Sequence, residues 1–193
     1  MSLSTPAARR HIHSRRIAFQ GYEREDGLYD IEATIVDDKP IAVEFPKRGR
    51  IEAGVPLHDM QMRVTIDAHY TVHDIEVNTD AAPQAPCYTV ADAYKALIGA
   101  NLARGFRRAV EAAVGGTRGC THLRELLMPL ASAAFQTLSG KPENMRRFAP
   151  AEIDPDAPLP FFIDACKAWS REGEAVREFY PMYYRKREAP EGA

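Results

Sequence analysis

The hydrophobic pattern of this chain changes its period near residue 81, and this change constrains the fold more than any other feature. Before it, apolar and polar residues alternate with period two, most clearly in Met60–Asp67 and Val72–Asn78. After it, apolar residues recur at helical spacing in segments 90–98, 106–114 and 121–138. This segregation predicts an α+β fold in which an antiparallel β-meander of about four or five strands packs against C-terminal helices.

The first half is predicted to begin with a hairpin. Segments 12–22 and 28–36 have extended patterns, and Asp26-Gly27 between them is typical of a tight turn. With 193 residues the chain has room for one ordinary core. We therefore expect a single domain with disordered residues 1–9, a sheet half at 10–80, a helical half at 81–140, a connector at 141–160, and a C-terminal helix and tail at 161–193.

Composition argues against two classes of partner. The formal net charge is −2 and the charged residues are interspersed, so no basic field for nucleic acid is expected. No segment approaches the roughly 20 apolar residues that span a bilayer, and the N-terminus has no apolar signal-peptide core. The three cysteines are widely spaced and odd in number, which suits a reducing compartment. These features predict a cytoplasmic protein without a membrane partner.

Several potential metal ligands stand at the ends of predicted elements. His58 opens the main strand, Cys87 opens the first predicted helix, and Cys120 and His122 open the longest helix. The positive end of a helix dipole favours a thiolate, which is the form that binds metal. If these loops meet at one edge of the sheet, Cys87, Cys120 and His58 converge there, with His122 as a fourth ligand or as a hydrogen-bond partner. Such a set suits one Zn²⁺ or Fe²⁺.

A simpler interpretation stands beside this one. A cysteine is more often a small buried apolar residue than a ligand, and we interpret Cys166, within the predicted C-terminal helix, in that way. Histidines in exposed strands or turns are usually solvated. We expect this of His11, His13, His69 and His73.

The order of elements from His58 to Leu138 resembles the iron–sulfur cluster assembly scaffold proteins. In those proteins three cysteines and a nearby acid or histidine hold a cluster or zinc at one end of a small sheet. Cys87 and Cys120 stand where the second and third scaffold cysteines would be. The first scaffold cysteine has no counterpart, because the sequence before Met60 is V-P-L-H-D. The resemblance implies a similar fold and a metal site.

A second resemblance covers nearly the whole chain. It rests on the motifs D-G-L-Y-D-I-E-A, H-D-M-x-M-R-x-T-I-D and G-G-x-x-G-C-T-H-L and on the C-terminal aromatic segment. The chain resembles an uncharacterised bacterial protein family with these motifs. This resemblance implies no assigned activity.

Our first functional hypothesis is a small metalloenzyme of lyase, decarboxylase or hydrolase type. A metal with an open coordination position would polarise a carbonyl or activate water in a small organic substrate. Asp59 and Glu125 are the nearest candidates for a general base. Arg63 and Arg118 are candidates for binding a substrate carboxylate.

Two other functions remain open at this point. A metal or iron–sulfur carrier would have exchangeable metal, exposed thiolates and an apolar docking patch. A metal-free interaction domain would instead use Cys87 and Cys120 as core residues. In each case the aromatic C-terminal segment offers a surface for a homodimer contact.

Overall fold

The fold is α+β, as predicted. A computed structural model describes residues 3–46, 48–139 and 159–186. The chain divides into two compact units, 1–135 and 136–193. Residues 3–13 contain no helix or strand. The predicted connector at 141–160 lies almost entirely outside the described residues.

The first unit is built on an antiparallel sheet. Its strands are β1 (Ser14–Glu23), β2 (Tyr29–Asp38), β3 (Val43–Phe45), β4 (Gly49–Ile51), β5 (His58–Ile66) and β6 (Val72–Ala81). Four of them form one sheet in the order β1-β2-β5-β6, with antiparallel neighbours throughout. The predicted hairpin is confirmed, and Gly27 supplies the positive φ of its turn. Strands β3 and β4 form a separate small hairpin in the chain between β2 and β5.

One face of the four-stranded sheet is buried and the other is polar. Ile31, Ile35 and Met60 lie on the buried face and are fully inaccessible. On the opposite face Arg63 donates hydrogen bonds to Glu32 and Glu76. This division follows from strand alternation, since successive side chains point to opposite faces of a sheet.

The helices of the second half begin with two short 3₁₀ segments, Ala85–Thr89 and Ala91–Leu97. The prediction of one helix over 90–98 is therefore wrong in detail. The tighter geometry aligns residues three apart, which buries Tyr94 and Leu97 together.

Two longer helices follow, α1 (Phe106–Val114) and α2 (Thr121–Ser139), and both confirm the predicted segments. Helix α2 buries one apolar side, which comprises Leu123, Leu126, Leu127, Leu130, Ala134 and Leu138. Within the described residues, no helix is both long enough and apolar enough to cross a lipid bilayer.

The second unit contains an aromatic cluster and one short helix, α3 (Glu174–Phe179). The rings of Phe162, Trp169 and Tyr180 lie within 5.1 to 5.9 Å of one another. The helix predicted from residue 161 is wrong, because Asp164 has a φ of 60° and its carboxylate accepts hydrogen bonds from Arg171. Cys166 is consequently extended and exposed, not a core residue.

Candidate metal centre

Three polar side chains form a row across one end of the sheet. Arg15 of β1 is paired with Asp37 of β2, and Asp37 is paired with His58 of β5. Residues paired directly across antiparallel strands point to the same face. All three side chains therefore lie on the face that is buried further along the sheet. His122, in the first turn of α2, joins this row.

Asp37 is the centre of the group and its side chain is only 3% exposed. Its Oδ1 atom accepts hydrogen bonds from Arg15 Nε at 2.8 Å and lies 3.2 Å from His13 Nε2. Its Oδ2 atom accepts from Arg15 Nη2 at 2.8 Å and lies 2.9 Å from His58 Nδ1. His122 Nε2 is 3.7 Å from the same Oδ2 atom. Both carboxylate oxygens are thus in contact with several cationic or imidazole groups.

The surroundings set the protonation states of the group. Burial raises the pKa of Asp37, but the Arg15 hydrogen bonds and charge outweigh it and lower this pKa to about 2. Burial and then the neighbouring His122 lower the pKa of His58, against the opposing effect of Asp37. Burial and the charge of Arg15 lower the pKa of His122. At neutral pH the group therefore holds a carboxylate and two neutral imidazoles.

The start of α2 is held in place by Tyr94. The Tyr94 hydroxyl donates to the backbone oxygen of Cys120 and accepts from its backbone N–H, both at 3.1 Å. Burial raises the pKa of Tyr94 to about 12, so the phenol stays protonated and keeps its donor. At Gly119 a Cβ atom would lie 2.7 Å from the backbone oxygen of Val114. The close approach of the segment before α2 to the end of α1 therefore requires glycine at this position.

The two nitrogens of His122 have different neighbours. Nε2 is directed toward Asp37, whereas Nδ1 is 3.9 Å from Cys120 Sγ. The His122 ring is also close to the His58 ring, with centroids 3.8 Å apart. A metal bound by Nε2 would leave Nδ1–H free to donate toward the Cys120 sulfur, as metal-bound histidines commonly donate through their second nitrogen. The Cys120 sulfur therefore lies beside the His122 nitrogen that faces away from Asp37.

The donor atoms of three residues lie close enough together to contact one metal ion. One ligand atom each from Asp37, His58 and His122 lie within 4.8 Å of one another. Ligands about 2.0–2.1 Å from a tetrahedral ion are roughly 3.3 Å apart. The 2.9 and 3.7 Å separations from Asp37 Oδ2 bracket that value. Two imidazoles and one carboxylate are ligands that suit Zn²⁺ or Fe²⁺, so the residues fit such an ion.

The structure brings some of the predicted ligands together and leaves others apart. His58 and His122 belong to the group, and the sulfur of Cys120 lies beside it. Cys87 is in the 3₁₀ segment Ala85–Thr89. Within the part of the chain that the structure describes, Cys87 and Cys120 belong to no set of three converging ligands.

The predicted general bases and substrate-binding arginines are also separated. Glu125 accepts a hydrogen bond from Arg15 Nη1 at 2.8 Å, which places it at the rim of the group. Asp59 follows His58 in β5, so its side chain points to the opposite face. Arg63 lies on that opposite face between Glu32 and Glu76. Arg118 donates to the backbone oxygen of Glu111, at the end of α1.

Sequence reasoning missed Asp37, Arg15 and His13. A signal for Asp37 was present, since the inward positions Tyr29, Ile31, Ala33 and Ile35 continue to residue 37. Because the predicted strand ended at Val36, Asp37 was not counted among the inward-facing residues. Arg15 and His13 become recognisable only through the register of β1 against β2, which pairs Arg15 with Asp37.

The chain is thus an α+β protein with a cluster of aspartate and histidine side chains at one end of its main sheet. The chain belongs to the family described as Protein of unknown function (DUF2889), whose model matches residues 13–136. The matched region contains Arg15, Asp37, His58 and His122. Neither the curated proteins nor the solved structures contain a match to the chain.

Proposed function

We propose that the protein is a small metalloenzyme with one divalent ion, Zn²⁺ or Fe²⁺, held by Asp37, His58 and His122. The observation that carries the proposal is the convergence of these three ligand atoms within 4.8 Å. This set replaces the cysteine-containing set expected from the sequence. His58 and His122 are retained from that set, and Asp37 takes the place of the thiolates.

The protonation states support this ligand set. Metal binding requires a deprotonated carboxylate and neutral imidazoles, and the lowered pKa values of all three residues favour those forms. Arg15 holds Asp37 by a bidentate hydrogen bond. Hydrogen bonds of this kind orient ligating carboxylates. Asp37 would bind through Oδ2, the oxygen that faces both histidines.

A three-ligand set favours catalysis over a purely structural role. Structural zinc sites usually have four protein ligands, whereas catalytic sites have three and keep a position for water or substrate. In that position the ion would act as a Lewis acid on a small organic substrate. Glu125, at the rim, remains the candidate general base. We propose a lyase, decarboxylase or hydrolase reaction.

Two other functions make different predictions. A metal or iron–sulfur carrier would use thiolates, yet the converging ligands among the described residues include none. A metal-free interaction domain would bind no stoichiometric ion. The three free cysteines support a reducing, cytoplasmic location for any of these functions.

The first test is the metal content of the purified protein and its variants. We expect about one zinc or iron per chain in the wild type after anaerobic reconstitution. His58→Gln and His122→Gln should lose the ion, and Cys87→Ser should keep it. His73→Gln is the matched control, because His73 also contacts an aspartate, Asp67, at 3.0 Å but is exposed.

The outcomes separate the hypotheses. Loss of metal in Cys87→Ser as well as in Cys120→Ser would favour the site expected from the sequence, in which both thiolates bind the ion together with His58. Absence of stoichiometric metal from the wild type would exclude both metal hypotheses and favour an interaction domain.

A second test examines the open position without knowledge of the substrate. Co²⁺ replaces Zn²⁺ in many sites and its visible spectrum reports the ligands. Addition of azide or acetate should change the spectrum if a ligand position is exchangeable. An unchanged spectrum would indicate a closed structural site and contradict the catalytic part of the proposal.

A further inference from the structure

Arg15 connects the buried carboxylate of the candidate metal centre to an exposed one. Its guanidinium donates to Asp37 through Nε and Nη2 and to Glu125 through Nη1, each at 2.8 Å. The Asp37 side chain is only 3% exposed, whereas the side chains of Arg15 and Glu125 are 33% and 48% exposed. A guanidinium has five N–H groups. Among the described residues three of those of Arg15 have acceptors, so the other two, on Nη1 and Nη2, can bind a further acceptor.

These two N–H groups border the position proposed for the ion. Asp37 Oδ2 accepts from Arg15 Nη2 and also faces His58 and His122, so Arg15 and the ion would share this oxygen. A ligand of the ion would therefore lie beside the guanidinium. A carboxylate suits both neighbours, because one of its oxygens can bind the ion while the other accepts from the guanidinium.

The charges of the contacting residues select the charge of such a ligand. Asp37 and Glu125 are carboxylates, Arg15 is a guanidinium, and both imidazoles are neutral at neutral pH, so the described group has a net charge of −1. A divalent ion would change this net charge to +1. One negative charge neutralises that surplus. A dianion exceeds it and is repelled by the Glu125 carboxylate.

We infer that the metal centre takes a small monocarboxylate, held between the ion and the guanidinium of Arg15, and that Glu125 disfavours dianions. The inference rests on the proposed function, because without the ion the group has a net negative charge. Arg15 takes the role that the sequence assigned to Arg63 and Arg118. Arg63 lies on the opposite face of the sheet, and Arg118 lies at the end of α1.

The test measures anion binding to the Co²⁺-loaded protein by visible spectroscopy. The pH is about 8, so that ordinary exposed imidazoles add no charge. The two probes are acetate, with one negative charge, and sulfate, with two. Acetate should bind the wild type more tightly than sulfate. Glu125→Gln should tighten acetate binding by roughly threefold to tenfold and sulfate binding by more, because it removes a negative charge beside the site.

Glu76→Gln is the matched control for Glu125→Gln. Glu76 is also exposed and also accepts a hydrogen bond from an arginine, Arg63, but it lies on the opposite face of the sheet. This variant should change neither affinity. Arg15→Lys keeps the positive charge but removes the forked donors, so it should weaken acetate binding. Circular dichroism and Co²⁺ content establish that each variant folds and holds the ion.

The outcomes separate this inference from the proposed function. A protein that takes up no stoichiometric Co²⁺, or that retains it in both His58→Gln and His122→Gln, would overturn the proposed function and this inference with it. A spectrum that neither azide nor acetate changes would overturn the inference and the catalytic part of the proposed function. Three results would overturn the inference alone: binding of azide without acetate, tighter binding of sulfate than of acetate, or an acetate affinity that Glu125→Gln leaves unchanged.

Discussion

Asp37 and Asp67 both contact a histidine imidazole, yet they do so at opposite ends of β5 with different consequences. The side chain of Asp67 is 28% exposed, compared with 3% for Asp37. Asp67 accepts backbone N–H groups of His69 and Thr71 and lies 3.0 Å from His73. These partners are within six residues of Asp67, in the turn that it begins and at the start of β6.

The partners of Asp37 come from distant parts of the chain. Arg15 belongs to β1, His58 to β5 and His122 to α2. A carboxylate with local partners closes a turn, whereas one with convergent partners from several elements builds a site. The same pair of residue types can therefore serve structure or chemistry, depending on burial and on the origin of its neighbours.

The two sites should differ most in the loss of unfolding free energy when each aspartate is replaced by asparagine. Asp37→Asn removes the buried charge partner of Arg15, which then keeps only Glu125 at the rim. This change should lower the free energy of unfolding by roughly 3 kcal/mol. Asp67→Asn should lower it by about 1 kcal/mol or less, since an amide oxygen still accepts the turn hydrogen bonds. Urea unfolding of the metal-free proteins measures both values. A larger effect at Asp67 would contradict the comparison.

Metal binding should stabilise the folded protein through the Asp37 site, and this stabilisation should not depend on the Asp67 site. At a free zinc concentration about 100 times the dissociation constant, the wild type should gain about 2.7 kcal/mol of unfolding free energy. His122→Gln should lose this gain, and His73→Gln should retain it. Thermal unfolding with and without zinc provides the measurement. Equal gains in all three proteins would place the ion elsewhere.

Acid should remove the contributions of both carboxylates as the pH falls through their lowered pKa values. The pKa of Asp37 is lowered from 3.8 to about 2 in the folded state, so its stabilisation is complete above the unfolded pKa and is lost as pH falls toward 2. The pKa of Asp67 is also lowered, against the opposing effect of burial, by its hydrogen bonds to His73 and to the turn backbone.

The pH dependence is measured by comparing each Asn variant with the wild type. The stability difference for each variant should be fully present above about pH 4 and should disappear on acidification. A difference that increases as the pH falls would contradict the direction of these pKa shifts.

The smallest change in unfolding free energy is expected on substitution of the exposed His73. His73→Gln should change the free energy of unfolding by no more than about 0.5 kcal/mol, because exposed ion pairs contribute little. The matched change His58→Gln should be larger in the metal-free protein, since His58 is mostly buried against Asp37. Chemical denaturation in the presence of a chelator checks this difference.

Much of the fold follows from local sequence patterns. The alternation in β5 and β6 and the apolar spacing of α1 and α2 were predicted because each element shows a single clear period. The helix predicted from residue 161 failed because the backbone of Asp164, which interrupts it, is stabilised by Arg171, a contact that periodicity does not record.

The candidate site was less predictable than the fold. His58 and His122 were identified because they stand at element ends, and the thiols were added because of their helix positions. The register of three strands decides instead that Asp37 faces His58 and Arg15. Pairing between strands that are distant in sequence cannot be derived from the pattern of any one strand.

The wide separation of the three ligand residues along the chain has a kinetic consequence. Even the nearest pair, Asp37 and His58, is 21 residues apart, and His122 comes from a helix in the second half. An unfolded chain therefore offers no preformed site, and contacts of such long range usually form late in folding. Metal should chiefly slow unfolding and leave the rate of refolding nearly unchanged.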